Sequence, residues 1–368
     1  MKNTFGNQIS ITLFGESHGK AIGAVLDGVP SGIAVDEAFI ARQMEKRKGI
    51  NSISTPRREV DAVKILSGVF DGRTTGTPIC FMVENTDIKS KDYSLTKDLA
   101  RPGHADYTAE KRYGGFQDYR GGGHFSGRLT APLVAAGALA LSMLREKGIE
   151  IATHISSCGE IKDREFGNLA EDIRQLENLS FPVLSEKAGK EILSYIEKAK
   201  KEGDSVGGTL TTVVTGMPAG VGEPWFDSVE SMLSHGLFSI PGVKGVEFGK
   251  GFGFAEMMGS DANDEFTVVD GEIVTVTNNN GGINGGITNG MPILFRCAVR
   301  PTPSIFKEQT SVRLSEMKEE NLRIEGRHDP AIIHRVRAVV DAAAAIAVAD
   351  MLAVRYGTDY LALEVEYE

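Results

Sequence analysis

Residues 6–30 read GNQISITLFGESHGKAIGAVLDGVP and contain the pentapeptide GESHG. This pentapeptide matches G-x-S-x-G, the motif that presents a nucleophilic serine on a sharp turn from a strand into a helix. The run ISITLF before it alternates as a strand does, and Gly23 and Pro30 disfavour a helix after it. The stretch therefore predicts a β-hairpin whose turn carries Ser17 and His18, and it lacks the context of a nucleophile elbow.

The overall composition indicates a soluble protein of a reducing compartment. The chain has 368 residues and is 41% hydrophobic, which allows a substantial core. Three well-separated cysteines without a C-x-x-C pair predict neither a disulfide framework nor a thiolate zinc site. The N-terminal MKNTFGNQIS has no apolar signal segment, and no run approaches the roughly 18 uninterrupted apolar residues of a membrane helix. We therefore expect a cytoplasmic protein with no membrane partner.

The distribution of charge points to a small anionic ligand. A formal net charge of -10 argues against a nucleic-acid surface, which needs a basic footprint. Arginine and lysine nevertheless crowd two segments: Arg42, Lys46, Arg47, Lys48, Arg57 and Arg58 in the first, and Arg101, Arg112, Arg120 and Arg128 in the second. Guanidinium groups bind phosphate and carboxylate in bidentate fashion, although each cluster alone is also typical of a solvated face.

Helix and strand signals alternate along the whole chain. Helices are expected from the N-cap Asp36 to about Lys48, near Asp106 to Tyr113, over RLTAPLVAAGALALSMLREKG to Gly148, from the cap Ser185 to about Glu202, from Asp227 to about His235, and from the N-cap Asp329, with Pro330 at N1, to about Arg355. Strands are expected at VKILSGV, TPICFMVEN, 149–157, TLTTVVTG, 243–249 and 291–299. Because no linker interrupts this pattern, we expect a single layered α+β domain over residues 1–368.

Four of the seven histidines lie in glycine-rich loops: His18 in GESHG, His104 in RPGHAD, His124 in GGGHFSG and His328 in EGRHDP. Glycine lets a backbone approach a ligand closely, and histidine titrates near neutral pH. Each of them alone is typical of an ordinary loop histidine, but four together indicate a site. Neither H-E-x-x-H nor a histidine pair at helical i, i+4 spacing occurs, so the sequence does not predict a metal site.

The segment GGGHFSGR precedes a predicted helix and is a candidate phosphate site. Free backbone N–H groups and the positive end of the helix dipole would lie beside Ser126 and Arg128. The segment is neither a Walker A loop nor a Rossmann fingerprint. A glycine-rich turn with a serine-capped helix explains the same residues equally well.

Taken together, GESHG, RPGHADYT, GGGHFSGRLT, VKGVEFG, GGINGG and GRHDP, in this order, resemble the chorismate synthase family over nearly the whole chain. The resemblance implies conversion of 5-enolpyruvylshikimate 3-phosphate into chorismate and phosphate by a 1,4-anti elimination. It implies a requirement for reduced FMN without net redox change, a layered β-α-β sandwich with antiparallel sheets, and a homotetramer. The compact length favours external reduction of the flavin, with NADPH as an indirect electron source.

The resemblance also implies roles for individual residues. His18 would protonate the departing phosphate with Ser17 in support, and His104 would protonate the reduced flavin. Asp329 would deprotonate or orient the flavin N5. The other matches are Arg47, Arg128 and Ser126 for the substrate, and Ser126, Gly281, Gly282, Arg300, Pro301, Thr302, Pro303, Ser304 and Arg327 for the flavin.

Three places depart from the family pattern. His124 and Phe125 stand where an arginine and a serine are usual beside the flavin, so those two roles are not transferred. A second arginine, usual in the loop after the first helix, falls at Ser52 or Ile53. The candidates to compensate for it are Lys48, Arg57 and Arg58. The usual Asn-Ala before VKGVE is Pro241–Gly242 here, which leaves only backbone for cofactor contacts.

Two other classes of function compete with a flavin-dependent lyase. A serine hydrolase using Ser17 predicts reaction with active-site serine probes and no flavin requirement. A non-enzymatic flavin- or phosphate-binding module predicts binding without turnover.

Overall fold

Two five-stranded sheets enclose a layer of helices in the computed structural model, which describes residues 2–50, 53–54, 61–86, 97–324, 326 and 328–362. The strands are β1 (Thr4–Phe5), β2 (Ser10–Gly15), β3 (Ala21–Asp27), β4 (Ser31–Ala34), β5 (Val63–Ile65), β6 (Val69–Phe70), β7 (Arg73–Thr75), β8 (Ile79–Glu84), β9 (Glu150–Cys158), β10 (Ile161–Lys162), β11 (Gly208–Thr215), β12 (Val243–Phe248), β13 (Phe266–Val269), β14 (Glu272–Thr275), β15 (Ile283–Asn284), β16 (Ile287–Thr288), β17 (Ile293–Val299), β18 (Gln309–Arg313) and β19 (Lys318–Leu322). The α-helices are α1 (Glu37–Glu45), α2 (Asp106–Tyr113), α3 (Thr130–Glu146), α4 (Leu169–Glu177), α5 (Glu186–Lys201), α6 (Val229–Phe238), α7 (Gly259–Ala262) and α8 (Ile333–Tyr356).

The first sheet has the order β1-β2-β3-β8-β5, and every neighbouring pair is antiparallel. Its centre is the predicted hairpin, in which Gly15 at the end of β2 pairs with Ile22 in β3. A strand, not a helix, therefore follows Ser17. The hairpin prediction is confirmed, and the geometry of a nucleophile elbow is not present at GESHG.

The second sheet has the order β10-β9-β11-β17-β12 and is also antiparallel throughout. Helix α4 contacts β9 and helix α5 contacts β10, while α6 contacts β12 and α8. The expected layered β-α-β sandwich with antiparallel sheets is confirmed.

Helices α3 and α8 form the centre of the middle layer. The first packs mainly on β3 and β8, and the second mainly on β9 and β11. In α3, 14 of 17 residues are buried, and in α8 20 of 24 are buried, which shows that other elements enclose both helices. The buried residues of α8 include the ionisable side chains of His334, Arg337, Asp341 and Asp350. The stretch Gly127–Glu146 is long and apolar enough to cross a membrane by length and composition, but 83% of its most hydrophobic window lies inside the fold.

Side-chain caps set several helix ends as the sequence predicts. Asp36 accepts a hydrogen bond from the Phe39 N–H at 2.8 Å, and Ser185 caps α5 through the Ala188 N–H. The predicted start at Asp227 is wrong. That residue ends a separate 3₁₀ turn, and the next residue, Ser228, is extended and caps α6.

The carboxylate of Asp350 joins the central helix to the first sheet. It lies in α8 and accepts hydrogen bonds of 2.7 to 3.0 Å from the backbone N–H groups of Asn7, Gln8 and Ile9, just before β2. Asp350 is buried. One carboxylate thus satisfies three backbone N–H donors of a segment that lies outside the sheet.

We expect Asp350→Ala to lower the free energy of unfolding by about 3 kcal/mol, because three N–H donors lose a charged acceptor. Urea denaturation followed by circular dichroism measures the loss. Asp359→Ala, at an exposed position beyond the same helix, is the control and should change stability by less than about 0.5 kcal/mol. Similar values for the two variants would contradict the proposed link.

Candidate active site

The turn between β2 and β3 holds Ser17 and His18 in a nearly buried position. Ser17 Oγ lies 3.1 Å from His18 Nδ1 and 3.1 Å from the carbonyl oxygens of Arg120 and Gly121. The hydroxyl can donate its one proton to a carbonyl and accept from the imidazole Nδ1–H. The serine therefore orients the imidazole and leaves Nε2 directed away from it.

A loop of three glycines packs directly on this histidine. Gly121, Gly122 and Gly123 all have positive φ, at 58°, 85° and 52°. A Cβ atom on Gly121 would lie 2.1 Å from Cε1 of His18, so no side chain fits there. The carbonyl of Gly123 accepts from the Ser17 N–H at 3.1 Å. Glycine is thus required for close approach as well as for backbone conformation.

His124 and Phe125, which depart from the family pattern, stabilise this loop. Nδ1–H of His124 donates to the carbonyl of Gly15 at 2.8 Å, which ties the loop to the end of β2. The ring of Phe125 meets the ring of Tyr113 edge-on, with centroids 6.0 Å apart. Of the proposed compensating residues, Lys48 pairs with Glu45, while Arg57 and Arg58 lie outside the described residues, as does Ser52.

Arg47 and Arg128 lie together on either side of Asp61. Arg47 Nη1 is 3.2 Å from Asp61 Oδ2, and Arg128 Nη1 pairs with Asp61 Oδ1. The three side chains are only 8%, 10% and 10% exposed for Arg47, Arg128 and Asp61. The structure therefore brings the two predicted substrate arginines into one cluster, which also contains a carboxylate that sequence analysis missed.

Asn85 connects this cluster to the histidine turn. Its Oδ1 accepts from Arg128 Nε at 3.2 Å, and its Nδ2 donates to the carbonyls of Glu16 and Gly19 at 3.0 Å. Ser126 Oγ accepts from the Arg128 N–H and caps the 3₁₀ turn that leads into α3. These contacts place guanidinium groups beside the turn that presents His18.

Asp329 does not cap the last helix, so the sequence prediction is wrong on this point. Helix α8 begins at Ile333, and Ile332 occupies the N-cap position without a side-chain bond. The Asp329 carboxylate instead pairs with Arg335 Nη1, and Arg335 Nε donates to the carbonyl of Arg47 at 2.7 Å. The guanidinium group of Arg335 offers this carboxylate a charged donor in place of helix N–H groups. Arg327 lies outside the described residues.

His104 lies in a separate loop cluster, beside Ser304. Its Nδ1 lies 3.0 Å from the Pro102 carbonyl, which can only accept, so Nδ1 carries the proton. The Ser304 hydroxyl then donates to Nε2 at 2.9 Å. Burial, followed by the charge of Arg101, lowers the pKa of His104 to about 4. The charge of His328 acts in the same direction, so this neutral imidazole lies near the residue that precedes Asp329 in the chain.

The segment 300–304 packs on the His104 loop. Arg300 Nη1 donates to the Gly103 carbonyl at 2.8 Å, and the Arg300 N–H donates to the Gly242 carbonyl at 2.9 Å. A Cβ on Gly103 would lie 2.9 Å from Pro303, and one on Gly207 would lie 2.9 Å from Pro301. The carbonyl of Thr302 accepts from Ser205 Oγ. The backbone of Pro241–Gly242 thus supports Arg300.

Gly281 and Gly282 lie elsewhere in the fold. Their φ values are 63° and 80°, and they turn the chain beside Pro292 and Leu294 at the start of β17. Arg300 follows the other end of β17, so a strand of seven residues, about 20 Å long, separates them from it. The fold of one chain does not bring these two described glycines to the His104 loop.

Comparison with known proteins identifies the family. The sequence matches the protein-family model described as chorismate synthase over residues 9–353. The chain belongs to the chorismate synthase family. It is 46% identical over 347 residues to the chorismate synthase of Thermococcus kodakarensis, which covers 94% of this chain and 96% of that protein. It is 45% identical over 360 residues to that of Dehalococcoides mccartyi, which covers 97% and 98%.

The fold of this member of the chorismate synthase family also matches a solved structure. A structure described as "Crystal Structure of Chorismate Synthase" superimposes with a TM-score of 0.75 and 28% sequence identity, covering 96% of this chain and 94% of that chain.

We expect Gly121→Ala to move the His18 ring by about 1 Å or more and to destabilise the protein more than Gly122→Ala does. Both substitutions place alanine at positive φ, at a cost of about 1 kcal/mol. Only the first also creates a clash, because a Cβ on Gly122 would contact Ser126 Cβ at an ordinary 3.8 Å. Crystal structures and unfolding curves of the two variants provide the measurement. An unmoved His18 with equal stabilities would show that the loop does not constrain this ring.

Proposed function

We propose that this chain catalyses the elimination of phosphate from 5-enolpyruvylshikimate 3-phosphate to give chorismate, with reduced FMN as cofactor. The observation that carries the proposal is the histidine turn next to a pair of arginines. A titratable imidazole oriented by Ser17, beside the guanidinium groups of Arg47 and Arg128, suits a leaving phosphate that needs both charge stabilisation and a proton.

The residues around His104 fit an anionic flavin cofactor. Arg300 supplies a guanidinium group, and Gly242 and Gly103 supply backbone within the same loop cluster. Thr302 Oγ1 is buried without a hydrogen-bond partner among the described residues, so the loop retains one unused polar group. Reduced FMN, when bound, supplies electron density to the substrate ring. The loop 300–304 and the His104 loop are the parts of this chain that would hold it.

The protonation state of His104 follows from its surroundings. With a pKa of about 4 the imidazole is neutral at neutral pH. Its Nε2 then carries no proton and cannot act as an acid. A bound anion beside it would raise this pKa, because a nearby negative charge favours the imidazolium form. We propose that His104 becomes a proton donor only when the anionic cofactor is bound, with Ser304 accepting or releasing the bond at Nε2.

Asp329 has a different role in this proposal from that of a helix cap. Its carboxylate is held by Arg335, which also contacts the backbone of Arg47. This chain of contacts connects the substrate arginines to the segment between His328 and α8. The fixed carboxylate suits a group that orients a ring nitrogen of the cofactor, as the family resemblance implies.

We also propose that the chain assembles as a homotetramer. Trp225, Phe226 and Phe252 are 84%, 90% and 86% exposed, and all four residues of β13 are exposed in a hairpin rich in apolar side chains. Such a surface is costly in water and is typical of an interface between subunits. A second copy of the chain would cover it. The separate location of Gly281 and Gly282 is compatible with a contribution from one subunit to a site in another.

Sedimentation velocity tests the assembly. We expect the wild-type chain to sediment as a tetramer at micromolar concentration, and Trp225→Ser/Phe226→Ser to form smaller species, because two large apolar anchors are lost. Phe70→Ser, at an exposed phenylalanine in β6, should remain tetrameric. A monomeric wild-type protein would contradict the assembly.

An anaerobic assay tests the activity. We expect equimolar phosphate and chorismate from the enolpyruvyl substrate when reduced FMN is present, and none without it. His18→Ala and His104→Ala should each slow turnover roughly 10²-fold or more, since each removes a proton donor. No product with reduced FMN would overturn the proposed function, and a binding module would then explain the site. Product without any flavin would overturn the role of the cofactor.

A further inference from the structure

The side chain of Asn85 binds three groups of the candidate active site at once. Asn85 is the first residue after β8, and its backbone N–H donates to the Lys20 carbonyl at 3.2 Å, just before β3. Its Oδ1 accepts from Arg128 Nε at 3.2 Å. Its Nδ2 donates to the carbonyls of Glu16 and Gly19, each at 3.0 Å. One short side chain therefore connects the histidine turn to the arginine cluster.

Glu16 and Gly19 are the two ends of the turn that carries His18. The Gly19 N–H donates to the Glu16 carbonyl at 3.0 Å, which closes the turn. The Asn85 amide nitrogen has two protons, and each of them serves one of the two end carbonyls. Asn85 thus fixes the backbone at both ends of the turn, while Ser17 contacts the imidazole within it.

The chemistry of the three partners determines which way the Asn85 amide faces. A guanidinium N–H can only donate and a carbonyl oxygen can only accept, so the amide oxygen faces Arg128 and the amide nitrogen faces the turn. A carboxylate has the same shape but no donor. Asn85→Asp would therefore keep an acceptor for Arg128 while removing both hydrogen bonds to the turn.

We propose that Asn85 is a positioning residue that sets the place of His18 relative to Arg128. The proposal rests on the proposed function, in which His18 gives a proton to the leaving phosphate and Arg128 binds that phosphate. Proton transfer requires the donor within hydrogen-bond reach of the leaving oxygen, and a misplacement of about 1 Å can cost about 10²-fold in rate. The bonds of Asn85 to the histidine turn therefore act mainly on the chemical step.

Modification of His18 by diethyl pyrocarbonate tests the positioning without turnover. His18 is 9% exposed, whereas His235 on α6 is exposed and serves as the internal reference. We expect Asn85→Ala to raise the labelling rate of His18 relative to that of His235 at least about threefold, because a released turn exposes the ring more often. Asn85→Asp should show the same increase, since it loses the same donors. Peptide mass spectrometry measures both rates.

Steady-state kinetics in the anaerobic assay gives the second readout. We expect Asn85→Ala to lower kcat roughly tenfold or more and to change KM less than about threefold, because the proton donor is displaced while Arg128 keeps its pairing with Asp61.

Asn168→Ala is the matched control. Asn168 Oδ1 accepts from the Glu171 N–H and caps α4, which packs on the second sheet. Its loss should lower the midpoint of unfolding, as the loss of a helix cap does, without changing His18 labelling or kcat. An equal effect of Asn168→Ala and Asn85→Ala on either readout would show that general destabilisation, and not positioning, is responsible.

Unchanged labelling of His18 in Asn85→Ala would overturn the proposal, as would an increase in that variant that Asn85→Asp does not share. If Asn85→Ala does not fold, Asn85→Ser carries the same expectation, because its single donor can serve only one of the two carbonyls. A wild-type protein that forms no product would overturn the proposed function instead. The labelling result would then still decide whether Asn85 holds His18 in place.

Discussion

Helices α3 and α8 touch through Gly137 and Ala342, and the remaining architecture is arranged around that contact. A Cβ on Gly137 would lie 2.3 Å from the Cβ of Ala342, so the two helices approach more closely than side chains normally allow. On its other side α3 packs on the first sheet, and α8 packs on the second sheet. The separation of the two sheets, and hence the position of every loop at their ends, depends on this small-residue contact.

The same contact brings two helix N-termini to one edge of the sandwich. Thr130 at the start of α3 and Arg335 in the first turn of α8 both bind Arg47. The positive ends of two helix dipoles therefore lie beside a pair of arginines, next to the turn that carries His18. An anion at this edge gains from dipoles, guanidinium groups and a proton donor together, which accounts for the placement of a carboxylate there in the free protein.

Features encoded within a few residues could be predicted from the sequence. The hairpin around GESHG follows from alternation and glycine, α3 follows from its continuous apolar run, and α5 follows from its amphipathic pattern and the cap Ser185. Contacts between distant segments could not. The sequence around Asp329 is typical of a helix cap, and only the structure shows that Arg335 binds its carboxylate. Asp61 has no local signal, because its partners lie just after α1 and just before α3. The glycine pair at 281–282 matches a motif, yet only the path of β17 shows how far it lies from Arg300.

The proposed function requires the His18 turn, the arginine cluster and the His104 loop to face one shared binding space. A crystal structure with oxidised FMN and 5-enolpyruvylshikimate 3-phosphate tests it most directly. We expect the substrate phosphate within hydrogen-bond distance of Arg47, Arg128 and His18, and the flavin ring against the His104 loop. A flavin or a phosphate bound away from these groups would contradict it.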